Sequence, residues 1–129
     1  MKHTFHLLLA SVALSSLALV SCTPKTSVVA SDFAFADGQL RIALQCADSI
    51  RTAQGKTLVE LPSPRNIEPD NSMRLVPASD WCSGFFPGEL WYMYEYTGDP
   101  FWKQQAETYT EALESQKSNR GTHDIGFMM

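Results

Sequence analysis

The side chains in this sequence that can do chemistry fall mainly in two short stretches. The first is Asp80-Trp81-Cys82-Ser83-Gly84-Phe85-Phe86-Pro87-Gly88. Its two glycines, set among Trp81, Phe85 and Phe86, permit close backbone approach around an aromatic wall. Proteins hold sugars with such walls: the ring stacks on C–H surface while nearby acids bond the hydroxyls. A single Trp serves a hydrophobic core equally well, so on local chemistry Trp81 keeps both readings.

The second stretch is Gly121-Thr122-His123-Asp124-Ile125-Gly126-Phe127, and His123 is the one histidine beyond the first six residues. Neighbouring side chains diverge on a regular element, so His123 and Asp124 are not expected to form a catalytic dyad by themselves. A surface turn in which Asp124 caps the next helix accounts for the pair on local chemistry alone. One histidine and scattered cysteines argue against zinc, and no metal or cofactor is expected. The chain has no Gly-rich phosphate loop and no serine in a nucleophile elbow.

Three helices and a long loop must position these residues. Asp32 to about Ala53 carries Leu40, Ala43, Leu44, Ala47 and Ile50 at helical spacing, with Arg41, Gln45, Asp48 and Arg51 mostly opposite. Gly55 is the expected stop. Residues 54–79 hold Pro62, Pro64, Pro69 and Pro77, and read as an ordered loop lining a site. Within it, Leu58–Leu61 and Met73–Val76 have enough apolar content to dock as short strands. Ser83 is the expected cap of a second helix ending at Thr97, whose apolar residues nearly all round imply burial on both sides. Asp99-Pro100 opens a third helix, with Trp102, Ala106, Tyr109 and Leu113 inward and an end near Gln116–Ser118. The two residues between the second and third helices force an antiparallel hairpin. No strand of convincing length is evident, so the class expected is all-α.

Composition sets the outer bounds. The 129 residues are 44% hydrophobic and 19% charged, which suits one small domain, and 11% aromatic content excludes disorder throughout. A net charge of -4 argues against a nucleic-acid partner. Residues 1–21 read as a secretory signal: Lys2, then an apolar run to Val20 that is too short to span a bilayer. Leu19-Val20-Ser21-Cys22 resembles a bacterial lipobox, with cleavage and lipidation at Cys22 and residues 22–31 as a tether. The alternative is an ordinary signal with an incidental cysteine. Lipid on Cys22 implies a membrane-anchored protein of the bacterial cell envelope, in the periplasm or at the outer membrane. In that compartment Cys46 and Cys82 could pair or remain small buried thiols, and both readings stay open.

Taken together, Asp80–Gly88, Leu90-Trp91, Tyr94-Glu95-Tyr96-Thr97-Gly98-Asp99 and His123–Phe127 resemble the N-terminal signature of the unsaturated glucuronyl hydrolases, glycoside hydrolase family 88. The resemblance covers roughly residues 33–129. Cys82 and Phe86-Pro87 depart from the commonest wording, which blurs the subgroup. It implies a barrel of six helical hairpins, with this chain as its N-terminal part and the ending at Met129 read as truncation. It implies hydration of the C4=C5 double bond that polysaccharide lyases leave on a terminal uronic acid, with glycosaminoglycan-type fragments as substrate. Asp124 falls on the first of two family aspartates, the second lying beyond Met129, and Trp81 and His123 match positions near the bound sugar. The runner-up is an unsaturated rhamnogalacturonyl hydrolase, and a non-catalytic glycan-binding lipoprotein is the reading from another class. Oligomeric state is left open.

Overall fold

The computed structural model describes residues 27–129, so the expected signal, Cys22 and the first half of the tether lie outside the described residues. Helix α1 runs Val28–Gln54, four residues earlier than the apolar stripe suggests, and residues 28–31 therefore belong to it rather than to the tether. Ser27 explains the early start: its backbone is extended, and its hydroxyl accepts from the Ala30 N–H. Gly55 ends the helix at φ 63°, with its N–H on the carbonyls of Arg51 and Thr52. Leu44 and Ala47 are buried, as their spacing requires. Arg51, expected on the solvent face, is buried too. It donates to Leu61 O at 3.0 Å and Tyr109 Oη at 2.8 Å, and it pairs with Asp48. Those partners satisfy a charge that would otherwise be costly to bury.

Two strands then correct the all-α expectation. β1 (Ser63–Ile67) pairs antiparallel with β2 (Met73–Val76), with Ser63 opposite Val76 and Ile67 opposite Met73. β2 lies on the expected Met73–Val76 segment, whereas Leu58–Leu61 forms turn and β1 begins two residues later. Pro64 is tolerated because the ladder shifts register between it and Asn66, and both strands are edges in a two-stranded sheet. Asn71, at φ 65°, and Asp70 Oδ1, which accepts from the Ser72 N–H and hydroxyl, make the connecting turn.

α2 (Phe85–Thr97) and α3 (Pro100–Glu111) form the expected hairpin. Gly98 turns the chain at φ 68°, and Asp99 Oδ1 caps α3 through the Phe101 N–H at 2.9 Å. A 3-10 turn (Glu114–Ser118) and the short α4 (Ile125–Met128) follow. Leu44 of α1, Phe86, Leu90 and Met93 of α2, and Trp102, Ala106 and Tyr109 of α3 share one core. The apolar contacts of α2 are one-sided, however: Tyr92 is 68% exposed, and Trp91 and Tyr96 also reach solvent. Helices hold 59% of the described residues, so the fold is mostly helical with a small sheet.

Candidate functional site

Trp81 sits on the turn between β2 and α2, and Asp80 fixes that turn. Asp80 Oδ1 accepts from the Cys82 N–H at 3.2 Å and from its Sγ at 3.1 Å, while Oδ2 lies 3.4 Å from Arg65 Nε of β1. Burial acts to raise the Asp80 carboxyl, but the bonds from Cys82 and the Arg65 charge outweigh it and hold the group below the usual carboxylate range. Burial first, then the Asp80 carboxylate, push the Cys82 thiol up, which suits a hydrogen-bond donor and not a thiolate nucleophile. Cys46 and Cys82 are both free thiols. Ser83 does not cap α2. Its hydroxyl donates to Ala78 O at 2.8 Å and its carbonyl accepts from Ser63 Oγ at 2.6 Å, stapling the Trp81 turn to the hairpin. Gly84 takes the cap position with no side-chain bond.

Three rings project from this region as one patch. Trp81 stands edge-on to Phe85 at 5.9 Å and to Phe127 at 6.4 Å, and Phe85 lies 5.9 Å from Phe127. Each is about half exposed. Phe86, expected in the same wall, points into the core instead and packs on Tyr109 at 5.1 Å. Phe127 belongs to α4, so the patch joins the two chemistry-bearing stretches across some 40 residues of sequence.

Asp124 immediately precedes α4, and its carboxylate caps no backbone N–H of that helix. Its Oδ2 accepts from Thr122 Oγ1 at 3.2 Å, and its Oδ1 lies 3.2 Å from His123 Nε2. The expected divergence of His123 and Asp124 therefore fails, because the pair sits in a bend (residues 121–124) and not on a regular element. His123 is almost wholly in solvent, whereas Asp124 is about a quarter exposed. A carboxylate unused by its helix, an accessible imidazole and a half-exposed aromatic patch can together grip a polar ring with one apolar face.

Sequence reasoning did not mark Arg65 or the partnership of Phe127 with Trp81. Arg65 lay in a stretch read as loop, and the ring contact is tertiary. An open groove of about 1090 Å³ lies between α1, the β-hairpin and the start of α2. Cys46, Arg65, Cys82 and Phe85 touch it, but Trp81, His123 and Asp124 do not. Its one carboxyl is Glu89, raised by burial and without a histidine or second acid on the groove wall. Size alone therefore does not make this groove the site, and Trp81, His123 and Asp124, the residues singled out by their chemistry, stand outside it.

Proteins of one kind match this chain in both sequence and structure. An unsaturated glucuronyl hydrolase of Formosa agariphila is 54% identical over 52 residues, covering 40% of this chain and 13% of that protein. Another, from a Bacillus species, is 36% identical over 69 residues, covering 50% of this chain and 18% of the relative. This chain is a homologue of the unsaturated glucuronyl hydrolases. The crystal structure of an unsaturated glucuronyl hydrolase specific for heparin superposes with a TM-score of 0.53 at 38% identity, over 76% of this chain and 25% of that one. No family model matches. The chain thus spans between an eighth and a quarter of the length of the hydrolases it resembles.

Proposed function

We propose that this chain is part of a glycoside hydrolase that acts on unsaturated uronyl oligosaccharides, and that Asp124 is one of its two catalytic carboxyl groups. The observation that carries the reading is the Asp124 carboxylate, partly open, left unused by α4 and joined through Phe127 to the exposed Trp81 ring. Homology to unsaturated glucuronyl hydrolases supports it and favours a glucuronyl over a rhamnogalacturonyl substrate. In this reading the chain contributes helical hairpins to the N-terminal part of a six-hairpin barrel, and glycosaminoglycan-type fragments are the substrate class.

The reaction hydrates a vinyl ether. A carboxylic acid protonates C4, the ring oxygen stabilises the cation at C5, and water adds its oxygen to C5 and gives up a proton, which restores the acid. The hemiketal then opens by breaking the bond from C5 to the ring oxygen, leaving a ketone at C5. The ring oxygen takes a proton and remains on C1 as a hemiacetal hydroxyl, and collapse of that hemiacetal expels the next sugar as an alcohol. Two carboxyl groups sharing a site push each other's pKa values apart, so one stays protonated near neutral pH as the donor. Asp124 is the carboxyl that holds the sugar, and the donor is the second acid, from outside residues 27–129. Trp81 supplies a stacking face and His123 a bond to a sugar hydroxyl.

Asp124→Asn tests this in the complete protein, with the double bond's ultraviolet absorbance as the readout. Turnover of an unsaturated disaccharide should fall about 10²–10⁴-fold with folding intact, and His123→Ala should raise KM more than it lowers kcat. Near-normal turnover in Asp124→Asn would sink the assignment.

Anchoring is a separate part of the proposal. Cys22 carries lipid after cleavage of residues 1–21, placing the protein on the bacterial cell envelope. Labelled palmitate fed to expressing cells should enter the wild type and not Cys22→Ser. Equal labelling of both would refute it.

A further inference from the structure

The first turn of α2 and the backbone of α4 approach more closely than two ordinary residues permit. A Cβ built on Gly84 would stand 2.3 Å from Phe127 O, 2.9 Å from Met128 C and 3.0 Å from Met128 O. Real Cβ atoms essentially never come that near, and all three atoms are backbone, so no side-chain rotation relieves the clash. The φ of Gly84 is -79°, which any residue adopts, so it is the missing side chain that matters and not the turn. A Cβ on Gly38 in α1, by contrast, would meet nothing within 4 Å.

The close approach has a chemical consequence. Phe127 N donates to Asp124 O at 2.8 Å, so the carbonyl that touches Gly84 and the candidate acid belong to one helical turn. Met128 of the same turn is buried, at 2% exposure. The opposing surface is equally fixed, because Ser83 is bonded to Ala78 and Ser63. We infer that Gly84 is a positioning residue for Asp124: the absence of a side chain there lets α4 lie against the Trp81 turn and sets the carboxylate beside the aromatic face. This rests on the reading of Asp124 given above and extends it to a residue that touches no substrate.

The test compares Gly84→Ala, Gly38→Ala and Asp124→Asn in the complete protein, with an unsaturated uronyl disaccharide as substrate. Displacing a reacting group by about 1 Å can cost ~10²-fold, so Gly84→Ala should lower kcat by about 10–100-fold, with KM changed by less than about threefold. Gly38→Ala, outside both chemistry-bearing stretches, should match the wild type. NMR gives a readout that needs no substrate: in Gly84→Ala the ring-current shifts between Trp81 and Phe127 should vanish, while those of Phe86 and Tyr109 in the core persist. A folded Gly84→Ala with wild-type kcat, beside an inactive Asp124→Asn, overturns this inference alone. Wild-type turnover in Asp124→Asn overturns the catalytic reading and this inference with it. Should Gly84→Ala fail to fold, Met128→Ala decides, since it loosens the same helix and leaves Gly84 in place. Loss of the Trp81–Phe127 shifts with kcat down supports the positioning role, and unchanged kcat with those shifts lost refutes it.

Discussion

Asp80 and Asp124 are both turn carboxylates, and their surroundings give them different work. Asp80 is one-fifth exposed and is spent on Arg65 and Cys82 within its own region. Asp124 has Thr122 and His123 as partners and remains accessible. Because the Asp80 carboxyl lies below its ordinary value, its contribution to stability is present above the unfolded-state pKa and is lost as pH falls through the depressed folded-state value. Asp80→Asn removes the charge while keeping an oxygen that can accept from the Cys82 N–H. It should therefore destabilise the protein by about 1 kcal/mol near neutral pH, with the gap to wild type closing in acid. Urea midpoints of the two proteins at several pH values measure this directly, and a gap independent of pH would mean that the Arg65 pair contributes nothing. Asp80 was visible in sequence as a residue beside Trp81, but its role was not. Arg65 arrives from β1, and no local spacing announces a partner fifteen positions away.

At the scale of elements, what was legible followed from local rules. The α2–α3 hairpin was fixed by Gly98 and Asp99-Pro100, and the inward residues of α3 repeat at helical spacing. Gly55 was readable as the end of α1 for the same reason. The failures came where tertiary partners override local preference. Arg51 looks like a solvent-facing residue of an amphipathic helix until Tyr109 Oη and Leu61 O are brought to it. Prolines at 62, 64, 69 and 77 read as breakers, yet a lone hairpin accepts Pro64 because a bulge and free edges dispense with its missing N–H. Ser83 has the composition of a helix cap, but two buried bonds to the 63–78 region claim it first. The candidate site shows the same division. Trp81, His123 and Asp124 stood out by residue type, whereas the ring contact that joins their two stretches depends on a close approach at Gly84 that only packing reveals.

Across the described residues, burial is uneven in a way that carries its own prediction. The core cluster faces the α1–α2–α3 junction, while the outer faces of α1 and α2 leave Phe35 70% and Tyr92 68% exposed, with Ile42 and Trp91 also open. Phe33, Phe35, Ala36, Leu40, Tyr92 and Met93 line a shallow apolar cleft between those helices. Contiguous apolar surface of this kind marks an interaction face, and here it sits on a stretch that spans at most a quarter of the relatives' length. A domain of about 100 residues has only ~5–15 kcal/mol of net stability even when its apolar surface is well covered. Residues 27–129, purified by themselves, should therefore unfold over a broad temperature range and enhance the fluorescence of a dye that binds exposed apolar surface. Replacing Phe35 and Tyr92 together with serine should reduce that dye signal while leaving the Trp102 core environment unchanged, since neither ring contributes to the buried cluster. Dye binding separates the two possibilities cleanly. A sharp thermal transition with no dye signal would mean that the α1 and α2 faces find their own cover within this stretch.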